Sequence, residues 1–165
     1  MKPPVISIEA PAEVLEEVSS GENRLQTVVR RLKPNQEIFA EIEALCQSEN
    51  IEAGVILSLV GSVKRAALRF ANQENASEID CPHEIVSVTG TVSKTGCHIH
   101  ISVADDKGTT IGGHLLPGAI VHTTIELVIL DMSKSCSFTR SHCELSGFEE
   151  LVVVEKHERA PYLPF

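Results

Sequence analysis

The chain has 165 residues, 42% of them hydrophobic, with 14 basic and 23 acidic side chains that leave a net charge of −9. That composition describes one folded domain with enough chain to bury a real core, and it excludes a disordered polypeptide. The acidic balance also argues against a large basic footprint for nucleic acid.

Compartment follows from the cysteines and the start of the chain. There are five cysteines, an odd number, and none forms a C-x-x-C pair. Reduced thiols in a cytoplasmic protein are expected. Met1-Lys2-Pro3-Pro4 is not followed by an apolar signal segment, and no apolar run approaches membrane-spanning length.

In chain order, residues 1–22 are rich in Pro and Glu and read as an N-terminal arm, with a short helix or irregular structure over 11–18. A domain over residues 23–155 follows. It opens on a strand from Arg24 to Leu32, whose Arg24, Arg30 and Arg31, with Lys33, read as the solvated face of an edge strand. Pro34-Asn35-Gln36 leads into a helix. Ile38, Ile42, Leu45 and Cys46 recur at helical spacing, with Glu37, Glu41 and Glu43 outside, and the helix should end near Asn50.

The apolar run Ala53–Val60 predicts a buried strand. Gly61-Ser62 is expected to turn it into a second strand over 63–71. Residues 72–82 are polar and predict a surface loop. Glu84–Val92 alternates as a strand, Lys94-Thr95-Gly96 turns it, and long strands follow over 119–131 and 136–143. A last short strand is expected over 151–155, then a C-terminal tail over 156–165. The sum is an α+β fold: a single domain with a largely antiparallel or mixed, curved sheet and one main helix.

The residues that carry chemistry lie between 97 and 114. His98, Ile99, His100, Ile101, Ser102 and Val103 alternate as a strand with two unlike faces. Asp106-Lys107-Gly108 suits a three-residue hairpin loop with Gly108 in the left-handed position. That loop sets His100 opposite His114, Ser102 opposite Gly112 and Val103 opposite Ile111. His98 lies two residues from His100, so all three imidazoles share a face, and a one-residue slip would destroy both the His and the apolar match. Three imidazoles on one face suit zinc or a similar divalent transition metal, with a fourth position open. Gly112 and Gly113 leave room beside the third histidine. Cys97 points away from His98 and reads as packing. His83, His142 and His157 read as surface residues.

An acid/base group is sought on the strand over 119–131, where His122, Thr124 and Glu126 share a face opposite Val121, Ile125 and Leu127. Glu126 is the catalytic candidate; its bland alternative is a charge on a wet or subunit-facing surface.

Leu32-Lys33-Pro34, Ala53–Ser62, Glu84–Val92, His98–Asp105, Gly112-Gly113-His114-Leu115, Thr123-Thr124-Ile125-Glu126 and Gly147-Phe148 together resemble the plants and prokaryotes conserved (PPC) domain over about residues 24–150. The resemblance implies an α+β fold, a homotrimer and a metal site at His98, His100 and His114. The chain has no AT-hook core, and of the plant partner-binding patch only Glu84 and Ile85 match, at Pro82-His83-Glu84-Ile85-Val86. A more distant resemblance, of fold and metal motif, is to acetolactate decarboxylases.

Two functions follow. One is a trimeric metal-binding module, regulatory or DNA-associated, in which tight direct DNA binding is not expected. The other is a zinc-dependent enzyme acting on a small carbonyl or carboxylate ligand.

Overall fold

A computed structural model describes residues 25–156, so the N-terminal arm, Arg24 and the tail beyond Lys156 lie outside the described residues. The described part is a single α+β domain of eight strands and one helix: β1 (Gln26–Leu32), α1 (Ile38–Ser48), β2 (Gly54–Arg69), β3 (Ser77–Ser93), β4 (Gly96–Ala104), β5 (Thr110–Leu115), β6 (Ile120–Asp131), β7 (Cys136–His142) and β8 (Glu149–Glu155). Six strands form one sheet in the order β1-β6-β2-β3-β4-β5, and β5 also pairs with β2. Strands β2 to β5 therefore close on themselves, and every pairing is antiparallel. Strands β7 and β8 form a separate hairpin.

The helix forms as its pattern predicts. Glu37 caps it, accepting from Phe39 N at 3.2 Å and Ala40 N at 2.6 Å, which satisfies amides that a helix start leaves open. Ile38, Ile42, Leu45 and Cys46 are buried. They meet Leu59, Val92, Ile99, Val103, Leu127 and Ile129 from the inner faces of the sheet in one core.

Three expectations fail, each for a physical reason. Gly61-Ser62 does not turn the chain: β2 runs unbroken over 16 residues. Gly61 adopts a positive φ of 145°, and a Cβ there would lie 2.0 Å from Thr124 O. The backbone is pressed against β6 and bulges instead of reversing, and the register shifts between Gly61 and Val63. The polar segment over 72–82 is a loop only in its first half. From Ser77 it is strand: Ser77–Asp80 pair with Leu68–Arg65 and Ile79 packs against the core, with Arg65 also pairing to Asp80 at 3.1 Å and Glu78 at 3.7 Å. The same extension buries His83, only 6% exposed and opposite Val63, where the sequence suggested a surface residue.

The sheet also carries exposed valines. Val29 pairs with Val128 across β1 and β6. Val60 lies on β2 beside Glu126 of β6, and Val86 lies on β3. Val29 is 68% exposed, and Val60 and Val86 are each 58% exposed. Among the described residues no helix is long and apolar enough to cross a membrane.

Candidate metal centre

The hairpin β4–β5 has the register that its turn chemistry predicts: His100 with His114, Ser102 with Gly112 and Val103 with Ile111. Gly108 takes a φ of +79°, and Asp105 Oδ1 accepts from Lys107 N at 2.9 Å and Thr109 N at 2.8 Å, closing the loop. Ile99, Ile101 and Val103 are buried on the opposite face from His98 and His100. The core thus fixes which side the imidazoles take.

The three rings converge. Their centroids stand 5.1 Å apart for His98–His100, 4.9 Å for His98–His114 and 5.4 Å for His100–His114. His98 Nε2 and His100 Nε2 approach to 3.2 Å. One donor nitrogen from each ring lies within 4.8 Å of the others, and these three form a metal-competent group. His114 Nδ1 is buried with no hydrogen-bond partner, which is costly unless something satisfies it. Burial, followed by the proximity of His98 and of the Arg69 guanidinium, holds the His114 imidazole down to about 4. Burial, followed by Arg140, also lowers His98. Both rings are therefore neutral near pH 7, the form that ligates. Neutral, crowded imidazoles with an orphan nitrogen fit a transition cation.

The glycines have a second role. A Cβ on Gly113 would meet Arg69 O at 2.8 Å, and one on Gly112 would meet Ser102 Oγ at 2.7 Å. They let β5 approach both β2 and β4, as well as lining the cleft. Cys97 packs against the core near Cys46 of α1, away from the histidines. Cys46, Cys97, Cys136 and Cys143 are free thiols.

Glu126 is exposed on β6 between Arg31 and Val60. Three strand spacings separate β6 from β4 in the sheet order, roughly 14 Å at about 4.8 Å each. Within one chain it does not join the histidines. His122 is exposed on the same strand, and His142 is exposed beside Glu149 at 3.9 Å. His157 lies outside the described residues.

Two arginines that the sequence did not single out do border the site. Arg69 is the β2 partner of His114. Arg140, on β7, donates from Nη2 to Thr91 Oγ1 at 3.3 Å, and Thr91 is the β3 partner of His98. Their signal was hidden because it depends on two long-range events, the closure of β5 on β2 and the docking of β7.

A closed antiparallel sheet with a histidine-lined cleft and one packed helix defines the class: an α+β domain with a candidate metal site. The chain matches the Plants and Prokaryotes Conserved (PCC) domain over residues 19–133, and it belongs to that family. It is similar to the structure of a hypothetical protein from Salmonella enterica, with 35% identity and a TM-score of 0.78 over 83% of this chain and 99% of that one. It is also similar to a metal-containing protein from Archaeoglobus fulgidus, with 28% identity and a TM-score of 0.67 over 79% of this chain and 96% of that one. By sequence it is 37% identical over 134 residues to the bifunctional protein GlmU of Synechococcus sp. strain JA-3-3Ab, covering 81% of this chain and 21% of that protein. A second Synechococcus GlmU is matched over 19% of its length, so the chain spans about a fifth of these curated relatives.

Proposed function

We propose that this chain is a homotrimeric metal-binding module whose His98, His100 and His114 hold a zinc-type ion. The observation that carries the reading is the approach of the imidazoles, with Nε2 of His98 and His100 at 3.2 Å. Nitrogens bound at about 2.0–2.1 Å to a tetrahedral zinc stand roughly 3.3 Å apart, the spacing of this pair, and the donor atom of His114 lies within 4.8 Å of both. The similar Archaeoglobus fulgidus protein is metal-containing, which supports the same reading. Elemental analysis tests it: about one zinc-type ion per chain is expected, and His98→Ala, His100→Ala or His114→Ala should each strip it, while His142→Ala should not. Equal loading of wild type and His100→Ala would sink the proposal.

The trimer is supported by the exposed Val29, Val60 and Val86 of the sheet, which a monomer leaves in water. Light scattering should give three chains at micromolar concentration; a monomer mass refutes it. The module acts through binding, in a regulatory role. Tight direct contact with DNA is disfavoured by the net charge of −9, and affinity for duplex should stay near the ~10⁻⁴–10⁻⁶ M of non-specific contact at physiological salt.

One observation favours the enzymatic alternative, a zinc-dependent reaction on a small carbonyl or carboxylate compound. The histidines open onto a cleft of about 810 Å³, a size suited to a small ligand. A bound zinc ion would supply Lewis acidity there. Glu126 could serve as the acid/base group only if a neighbouring protomer delivers it, given its distance within the chain.

A further inference from the structure

The walls of the histidine cleft carry two arginines on an otherwise acidic chain. His98 and His100 border two clefts, one of about 810 Å³ that includes Arg69 and one of about 400 Å³ that includes Arg140. Both arginines are half-buried. Arg69 makes no side-chain hydrogen bond among the described residues, and neither arginine has a carboxylate within ion-pair distance there. Arg140 spends two of its five N–H donors, on Thr91 Oγ1 and on Glu149 O, each at 3.3 Å. Glu74 and Glu150 also line the clefts and oppose the field. Neither glutamate is ion-paired to an arginine among the described residues, so both guanidiniums keep N–H donors for a ligand. Half-buried guanidiniums without counter-ions, on a chain of net charge −9, form a local anion-selecting spot.

We propose that the centre takes a small oxyanion, a carboxylate or phosphate group that ligates the metal, with Arg69 and Arg140 as the residues that select it. The proposal rests on the metal reading above. A guanidinium matches the oxygens of such a group through charge-assisted hydrogen bonds. The walls beside Arg69 add Phe70, Phe148 and the bare backbone of Gly112 and Gly113, so the remainder of the ligand meets apolar and small surfaces. Arg140 lies beyond residues 19–133, the span matched to the family domain. The β7–β8 hairpin would therefore tune ligand choice on a shared metal platform.

The test uses the full chain loaded with Co²⁺, whose visible absorption reports exogenous ligands. It is titrated with acetate, its neutral isostere acetamide, and inorganic phosphate. Acetate or phosphate should shift the spectrum at concentrations where acetamide does nothing. Arg69→Gln and Arg140→Gln should each weaken the anion about tenfold at unchanged cobalt content, and Arg140→Lys should recover part of the loss. A stronger response to phosphate than to acetate supports the pair and assigns it to phosphate groups. Equal responses to acetate and acetamide, or wild-type anion affinity in both Gln variants, overturn the proposal while the metal reading stands. Failure of wild type to take up cobalt, read first by elemental analysis, removes both.

Discussion

Two hairpins border the histidine site, and they are held by different physics. β4–β5 is clamped between β3 and β2, with Ile99, Val103 and Leu115 buried beneath it. β7–β8 stands outside that sheet, and every residue of β8 is exposed, including Leu151, Val152, Val153 and Val154. It reaches the body through Phe138, which is buried, through Phe138 N donating to Glu52 O at 2.8 Å, and through Thr95 Oγ1 donating to Phe138 O at 2.9 Å. The first hairpin is a platform whose register the core dictates; the second is an attachment with a few defined anchors. The lesson is that metal donors and ligand-selecting groups come from parts of the fold with unequal stability.

The sharpest way to break this contrast is to remove one buried side chain from each. Ile99→Ala, beneath the histidines, should cost about 2–5 kcal/mol, lowering the midpoint of whole-chain unfolding and metal retention together. Phe138→Ala should cost about 3–5 kcal/mol, but locally. Hydrogen exchange should quicken in β7–β8 and leave β4–β5 protected. A Phe138→Ala protein that lost protection equally in both hairpins would show that they form one cooperative unit.

The same contrast explains what was legible beforehand. The His-Ile alternation from His98 and the Asp106-Lys107-Gly108 turn fix a register by local rules, so the three-histidine face could be read directly. The helix was equally plain, since Ile38, Ile42, Leu45 and Cys46 follow one period. Gly61 misled because a glycine with positive φ serves a bulge as well as a turn, and only the closeness of Thr124 O decides between them. Arg69 and Arg140 were missed because pairings some 45 residues apart in sequence bring them to the site. His83 was misplaced because the polar segment before it pairs with β2 and buries Ile79, a long-range pairing that local polarity does not announce.

A smaller effect should separate packing from ligation at Gly113. A methyl group there meets the backbone of Arg69, which cannot swing aside. Gly113→Ala should therefore cost about 1–3 kcal/mol by pushing β5 from β2. It should also lower metal affinity, because His114 and Arg69 are cross-strand partners. Gly108→Ala, whose Cβ meets nothing within 4 Å but whose φ is +79°, should strain only the loop and leave metal content unchanged. Equal metal loss in the two variants would mean that the close strand contact is irrelevant to the site.

The smallest expected effect concerns how the second hairpin is clipped in place. Glu52 accepts from Lys94 Nζ at 2.9 Å and also binds Lys156 Nζ just past the end of β8. The Lys156 contact first, and Lys94 after it, hold the Glu52 carboxyl at about 2, below its ordinary 4.5. A carboxyl with a depressed folded value contributes stability that is complete above the unfolded value and is lost as pH falls toward the folded one. The contribution should therefore be whole above about pH 5 and fade between 4.5 and 2. Because Glu52 and both lysines keep part of their surface in water, salt should weaken it as well. Glu52→Gln should thus speed amide exchange in β8 at pH 6, and the gap from wild type should narrow by pH 3 and in high salt. A gap of the same size at pH 6 and pH 3 would mean that the backbone bond from Phe138, not the Glu52 charge, holds the hairpin to the platform.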